Sequence, residues 1–143
     1  MSILSIAVSG LSAASLRVNV AASNIANART TGPLPASSGS GLGGIGPTFP
    51  AAYVPLQVNQ VSQSSGSMLG GTAATVSAVS PSFTAEFDPS APFANGHGVV
   101  AAPNVDLASE IAELTIAKYS FIASAKVIQA YAETMDTLLE IKS

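Results

Sequence analysis

The chain has 143 residues, the length of one ordinary domain. Charged residues make up only 9% of it, against about 25% in typical soluble domains, and the mean hydropathy is +0.45. This shortage of charge predicts a native surface that is largely covered by other chains. The formal net charge of −3, with no basic cluster, argues against a nucleic-acid partner. The absence of cysteine excludes disulfides and thiolate metal sites.

The first periodic segment spans residues 2–28. Branched apolar residues recur every seven positions at Leu4, Leu11, Val18 and Ile25, and alanines follow three positions later at Ala7, Ala14 and Ala21. This spacing predicts a helix that lays one stripe against a partner helix, and the small alanine row lets the two backbones approach closely. Because the other faces are also largely apolar, we expect several chains to bundle around this helix.

A membrane-spanning segment is the competing interpretation of the N-terminal residues. The uncharged run of residues 1–16 ends at Arg17 and contains several serines and a glycine. A membrane span needs about 20 predominantly apolar residues, so this run is too short and too polar. No Lys or Arg precedes its apolar part, so we expect no cleaved secretory signal.

The middle of the chain contains the residues with special backbone roles. Residues 33–50 are rich in Gly, Ser and Pro and predict a loop. Residues 53–62 and 72–80 are rich in Val, Thr and Ser and predict a β-hairpin with an irregular tip, with Pro55 restricting its strand to an edge. Four prolines from Ser80 to Pro103 predict an extended, turn-containing return segment.

The last segment, from Asp106 to Lys142, is the longest periodic stretch. One apolar row contains Leu107, Leu114, Phe121, Ile128 and Met135, and a second contains Ile111, Ala125, Ala132 and Leu139. They predict a helix about 50 Å long, with Asp106 as its N-cap. The predicted fold is therefore mainly α with a small β element, in which the two terminal helices pair as an antiparallel coiled coil. The corresponding domain division is 1–32, 33–105 and 106–143.

Candidate catalytic and metal sites are weak. His97 is the single histidine and lies in a turn-like context, without a second ligand or a nucleophile nearby in sequence. Glu86 and Asp88 fit an Asp-Pro turn better than a carboxylate pair. The glycines between residues 39 and 46 lack the Lys-Ser/Thr of a phosphate loop. We therefore expect no catalytic, cofactor-binding or metal site and no small-molecule substrate. For the acids of the last helix we expect a solvated face or pairing with Arg17 or Arg29 of a neighbouring chain.

Two groups of motifs carry a family resemblance. The N-terminal run Ser9-Gly10-Leu11-Ser12-Ala13-Ala14, then Ala22-Ser23-Asn24-Ile25-Ala26-Asn27 and Thr30-Thr31-Gly32, resembles the signature of the bacterial flagellar axial proteins: rod, hook and hook-associated proteins. The later run Phe87-Asp88-Pro89-Ser90-Ala91-Pro92, Gly98-Val99-Val100 and Pro103-Asn104-Val105-Asp106 is similar to the proximal rod proteins of the basal body.

This resemblance implies a structural subunit of the flagellar rod, the drive shaft that transmits torque from motor to hook. It also implies export through the flagellar type III apparatus without a cleaved signal, and helical assembly with copies of itself and other rod proteins. Basal-body ring components and components next to the export gate would be neighbours, and the location would be the rod across the periplasm. The alternatives are another axial or type III needle-like subunit, or a secreted amphipathic protein that acts on membranes.

Overall fold

The computed structural model describes residues 2–35, 49–63 and 70–142 of the chain. The helices are α1, Ile3–Asn27, and α2, Leu107–Lys142. Between them the described residues form four strands: β1, Leu56–Ser62; β2, Thr72–Ala78; β3, Phe83–Phe87; and β4, Val99–Pro103. Two long terminal helices in contact, with small antiparallel sheets between them, confirm the predicted fold class.

Helix α1 begins and ends where its sequence supplies the signals. The Ser2 hydroxyl accepts a hydrogen bond from the Leu4 amide at 3.3 Å and so caps the first turn. After Asn27 the Ala28 amide still bonds to the Ile25 carbonyl, and the chain then leaves the helical path. The helix therefore ends within one residue of the periodic segment that the sequence predicted over residues 2–28.

The first hairpin pairs β1 with β2, from Leu56 opposite Ala78 to Ser62 opposite Thr72. It was predicted in residues 53–62 and 72–80, and the irregular tip at residues 64–69 lies outside the described part of the chain. The hairpin packs along α1. Near its tip, the Thr72 amide donates to the Ser9 hydroxyl at 3.1 Å. A Cβ on Gly71 would lie 2.7 Å from that hydroxyl oxygen, so glycine permits this close approach.

The return segment from Ser80 to Pro103 was predicted as extended chain, and this prediction was incomplete. It forms a second antiparallel hairpin in which Phe83 lies opposite Pro103 and Phe87 opposite Val99. Asn95 stabilises the connection, since its side-chain oxygen accepts from the amides of His97 and Val99, both at 2.9 Å. The prolines lie outside these strands or at the end of β4, where they do not interrupt the pairing.

The two helices pack antiparallel. Asn24 near the end of α1 bonds to Glu110 near the start of α2, and Gly10 near the start of α1 lies against Ser124. The buried apolar residues are mostly small. Among the described residues they are Ala7, Ala13, Ala14, Val20, Ala21, Pro55, Val100, Ala101, Ala102, Pro103 and Ala117. Small side chains in the core bring the two helix backbones close together and leave the larger apolar side chains toward the outside.

Candidate assembly surface

The two predicted rows of α1 have different environments. Ala7, Ala14 and Ala21 are buried within the chain. The branched row lies beside this contact: Leu4 is 39% exposed, and Leu11, Val18 and Ile25 are partly exposed. The residues that meet α2 include a further row at the same seven-residue spacing, Gly10, Arg17 and Asn24. The alanine row is therefore used inside the chain, and the branched row remains accessible to another chain.

Helix α2 shows the same division. Leu114 and Ile128 are half-buried and Phe121 is 39% exposed, at the border of the contact with α1. The row that follows three positions later, Glu110, Ala117, Ser124 and Tyr131, is the more buried one, with Ala117 fully buried. Of the second predicted row, Ala125 is half-buried, while Ile111, Ala132 and Leu139 are exposed. Leu107 and Met135 are exposed as well.

An apolar groove of about 460 Å³ follows one side of the helix pair. This cavity is called the groove below, and it is lined by Ser15, Val18, Leu114, Lys118, Phe121 and Ile122. Three of them, Val18, Leu114 and Phe121, belong to the rows predicted from the sequence. Concave apolar surface between two helices is suited to receive side chains from a third helix.

Asn24 joins three elements at the other end of the helix pair. Its side chain is fully buried, and its amide nitrogen donates to the Leu56 carbonyl at 2.7 Å and to Glu110 Oε1 at 2.8 Å. Its oxygen accepts from the Leu56 amide and from the Tyr53 hydroxyl, both at 3.0 Å. All four hydrogen bonds of the side-chain amide are therefore made, which lets a polar group be buried at little cost.

An ion pair lies beside this cluster. Arg17 Nε donates to Glu113 Oε1 across the two helices. The hydrogen bond with Glu113 raises the pKa of the Arg17 guanidinium, and the hydrogen bond with Arg17 lowers the pKa of the Glu113 carboxyl. Both Glu110 and Glu113 thus bond within their own chain. The expected solvated face is wrong for these two acids, whereas the expected pairing of acids with a neighbour's arginine in an assembly stays a prediction.

The rest of the N-terminal motif forms the exit from α1. Asn27 Nδ2 donates to the Ser23 carbonyl at 2.9 Å, and the Thr31 amide donates to the Arg29 carbonyl at 3.0 Å. Ala26 is exposed. Gly32 exchanges two hydrogen bonds with Ala101 on β4, at 3.0 and 2.9 Å. A Cβ on Gly32 would lie 2.2 Å from the Ala52 nitrogen, so only glycine fits there.

The second motif group fixes the return to α2. The Asp88 carboxylate accepts from the Ser90 hydroxyl and amide, and the hydroxyl contact lowers the pKa of that carboxyl. Pro89 is exposed and follows at the turn, while Pro103 closes β4. Asn104 donates its side chain to the Pro81 carbonyl at 2.9 Å, and the Val105 amide bonds to the Pro103 carbonyl.

Asp106 is the N-cap of α2, as predicted. Its carboxylate accepts from the Ala108 amide at 3.0 Å and from the Ser109 hydroxyl at 2.9 Å. The hydroxyl contact, with help from the backbone amides, lowers the pKa of the Asp106 carboxyl. This cap sets the point at which α2 begins.

Within the described ranges no group of three His, Cys, Asp or Glu side chains is arranged to hold a metal ion. His97 is exposed in the β3–β4 connection. Helix α1 is long and apolar enough to cross a membrane by length and composition, a criterion that core helices and signal sequences also satisfy. In the structure α1 packs against α2 and the first hairpin.

Sequence reasoning placed Asn24 in a motif but assigned it no contacts, and it missed Arg17, Glu110 and Glu113 as partners across the helices. A signal for them is present. Arg17 and Asn24 are seven positions apart, and Arg17 is the single charged residue in the sequence of α1. Glu110 is likewise seven positions before Ala117 and fourteen before Ser124, so acid and small residues share one face.

Comparisons with known proteins agree with these features. The family model described as flagella basal body rod protein matches residues 4–33, and the model described as flagellar basal body rod FlgEFG protein C-terminal matches residues 97–141. The flagellar basal-body rod protein FlgC of Salmonella typhimurium is 33% identical over 138 residues, which cover 94% of this chain and 92% of that protein. The FlgC of Escherichia coli O157:H7 matches with the same identity and coverage.

The matched regions contain the features described above. The first model spans the alanine row, Asn24 and Gly32, and the second spans β4, the Asp106 cap and nearly all of α2. The family is a structural one, which confirms the expectation that this protein is not an enzyme. The chain belongs to the flagellar basal-body rod protein family and is similar to FlgC along almost its whole length.

Proposed function

We propose that this chain is a structural subunit of the proximal rod, the part of the flagellar drive shaft that transmits torque from the motor toward the hook. The subunits assemble as a helical polymer, with the paired terminal helices α1 and α2 forming its inner layer. Torque transmission needs tight packing between subunits and no bond-making chemistry. Rod membership itself follows from the family; the position within the rod and the helical arrangement are our proposal.

The observation that carries the proposal is the large apolar surface left on the helix pair. Exposed side chains of this type, all more than a third exposed, are Ile3, Leu4, Ile6, Val8, Leu107, Ile111, Ile116, Phe121, Ile122, Val127, Met135, Leu138, Leu139 and Ile141. Exposed large apolar side chains in this number mark a surface that interacts with other chains. Because it runs along both helices, the covering partners are expected to be helices as well.

The partners follow from this arrangement. Copies of this chain and other rod subunits would cover α1 and α2, and basal-body ring components and components next to the export gate would contact the base of the rod. We infer that the flagellar type III apparatus delivers the chain to the rod. Support for these partners comes from membership of the rod family and from the exposed helix surfaces.

A membrane-active protein is the second candidate, because α1 meets the length and composition criterion for a span. Interfacial helices usually carry a face rich in Lys and Arg, whereas α1 contains one such residue, Arg17, which is paired with Glu113. Binding of the purified chain to vesicles of anionic lipid would favour this candidate. Co-assembly with rod subunits that resists high salt would favour the rod.

Deletion of the gene in its own bacterium tests the proposed function. We expect non-motile cells whose isolated basal bodies, viewed by electron microscopy, stop at the ring stage without rod or hook. Re-expression of the full chain should restore both. Complete, rotating flagella in the deletion strain would contradict a required proximal rod subunit, and complementation by genes for related rod proteins would identify a redundant copy.

A further inference from the structure

Helix α2 continues past the beginning of α1. Gly10 lies beside Ser124 and the helices are antiparallel, so Ile3, the first helical residue of α1, lies near Tyr131. Residues 133–142, called the overhang, therefore have no α1 residue opposite them. The overhang is about 15 Å long, or nearly three turns of helix.

The overhang continues the face of α2 that packs on α1. Met135 is the next member of the row Leu114, Phe121, Ile128, and Leu138 is the next member of the row Ala117, Ser124, Tyr131. Leu139 lies beside them on the same stripe. Met135 is 41% exposed, Leu138 55% and Leu139 67%. This stripe has the spacing of a helix that inserts apolar side chains into a groove on another helix pair.

We propose that the overhang of one copy docks in the groove of a second copy, the groove being the site lined by Val18, Leu114, Phe121 and Ile122. The inference rests on the proposed function, because it names the contact through which rod subunits join. The groove is continuous with the α1–α2 contact, since Leu114 and Phe121 border both. A helix seated there would extend an existing two-helix packing to a third helix.

Charge favours the groove over other sites for the overhang. Lys118 lines the groove, and the overhang carries Asp136 about one quarter of a turn from its apolar stripe. A docked overhang can thus bring Asp136 of one copy to Lys118 of the next. Pairing of two overhangs through the same stripe would leave Asp136 without the Lys118 partner that the groove supplies.

The proposed contact joins two different surfaces, so it does not close after two copies unless the two exchange their overhangs reciprocally. In a series of copies joined this way, one end copy keeps a free groove and the other end copy keeps a free overhang. Further copies can therefore add through the same contact. Heterologous contacts of this kind generate rings or helical filaments. That geometry is the one that a rod needs.

Disulfide cross-linking tests the contact, because the natural chain contains no cysteine. The full chain with both Ile122→Cys and Leu139→Cys replaces the natural one in its bacterium, and isolated basal bodies are oxidised. The two cysteines lie about 25 Å apart along one helix, too far for a bond within a copy. We expect the oxidised basal bodies to contain cross-linked dimers and higher multiples of the chain. The cells from which they are isolated should still swim.

Control variants distinguish the proposed contact from other ways of covering the groove and the overhang. Leu139→Cys combined with Tyr119→Cys, whose position is exposed and outside the groove, should give no multiples. Dimers from Leu139→Cys alone would mean that two overhangs pair, and a product of mixed mass would mean that another rod subunit occupies the groove. Either of these results, or swimming cells without any cross-link, would overturn the inference.

Reversal of the charges at Lys118 and Asp136 provides the second test. It also tests the contact between overhang and groove if the cysteine variants fail to assemble. Lys118→Glu or Asp136→Lys alone should reduce the fraction of swimming cells at least tenfold, and the two together should restore it. Wild-type swimming in either single variant, or no rescue in the double variant, would refute the contact. The deletion experiment is independent: a strain without rods supports the proposed function even when both of these tests fail.

Discussion

Asn24 on α1 and Leu56 on β1 bond to each other in both directions. The Asn24 amide nitrogen donates to the Leu56 carbonyl at 2.7 Å, and the Asn24 oxygen accepts from the Leu56 amide at 3.0 Å. The side chain thereby pairs with the backbone as a neighbouring strand would. This attachment fixes the start of the first hairpin on the helix, close to the point where Glu110 of α2 also meets Asn24.

Asn24→Ala should therefore destabilise the chain strongly. It leaves the Leu56 amide and carbonyl, the Tyr53 hydroxyl and the Glu110 carboxylate without these partners in a buried site, and each such loss costs about 1–3 kcal/mol. Water can bond to some of these groups in place of Asn24 and so reduce the cost. We therefore expect a loss of about 3 kcal/mol in the free energy of unfolding. Thermal unfolding followed by circular dichroism measures it. Asn19→Ala, at an exposed position of the same helix, should change it by less than about 0.5 kcal/mol.

Gly32→Ala should push the chain that follows α1 away from the segment that leads to β1. The added Cβ would lie 2.2 Å from the Ala52 nitrogen and 2.6 Å from the Ala51 carbonyl carbon, so backbone must move. We expect a loss of roughly 2 kcal/mol or more, as for overpacked cores, and faster amide exchange at Gly32 and Ala101. Gly96→Ala is the matched control, because its Cβ would meet nothing within 4 Å. Equal stability of the two variants would show that the Gly32 contact yields easily.

Acid should weaken the contact between Arg17 and Glu113. The pKa of Glu113 in the folded chain lies below its ordinary 4.5, so its contribution to stability is complete above pH 4.5 and is lost as the pH falls through the lower folded-state value. Both side chains are partly exposed, which limits the contribution to under about 1 kcal/mol. A double-mutant cycle with Arg17→Gln and Glu113→Gln should give a coupling energy at pH 7 that disappears at low pH. A coupling energy independent of pH would rule out the ion pair as its source.

Ala14→Leu should overpack the contact between the helices. Ala14 is 1% exposed and lies in the buried alanine row of α1. Three additional carbon atoms in such a site typically cost 1–3 kcal/mol, about the range expected here. Ala22→Leu adds the same atoms at an exposed position of α1 and should be tolerated by the isolated chain. Comparison of the two melting temperatures tests the prediction, and equal values would place the close contact elsewhere.

The sequence was sufficient to predict both helices, the Asp106 cap and the first hairpin, and it singled out the row Ala7, Ala14 and Ala21 that the structure buries. These features depend on local signals and on regular spacing. The second hairpin was missed because prolines suggested extended chain, although the turn at Asn95 and Gly96 lies within it. Its strands are short, and proline at a strand end leaves the pairing intact.

The orientation of α2 could not be obtained from hydrophobic spacing alone. A helix that is covered by several chains is apolar on several faces, so its periodicity does not identify the face that packs within its own chain. Here Ala117 and Ser124 pack inward, while larger residues such as Ile111 and Leu139 lie outside. Small and polar residues at seven-residue spacing mark the contact within the chain, and large apolar ones mark the surface left for partners.

Leu11→Asp tests whether the branched row of α1 is such a surface. Leu11 is partly exposed in the isolated chain, so a charge there can reach water and should leave the paired helices folded. In an assembled rod the same carboxylate would be buried against a neighbouring helix without a partner, at a cost of several kcal/mol. We expect normal export of the variant, measured in cell fractions, but basal bodies without a rod. Ser12→Asp places the same charge on the next residue, outside the row, and should assemble. Normal swimming with Leu11→Asp would show that this row does not contact another subunit, and failure of both variants would show that any charge on this stretch of α1 blocks assembly.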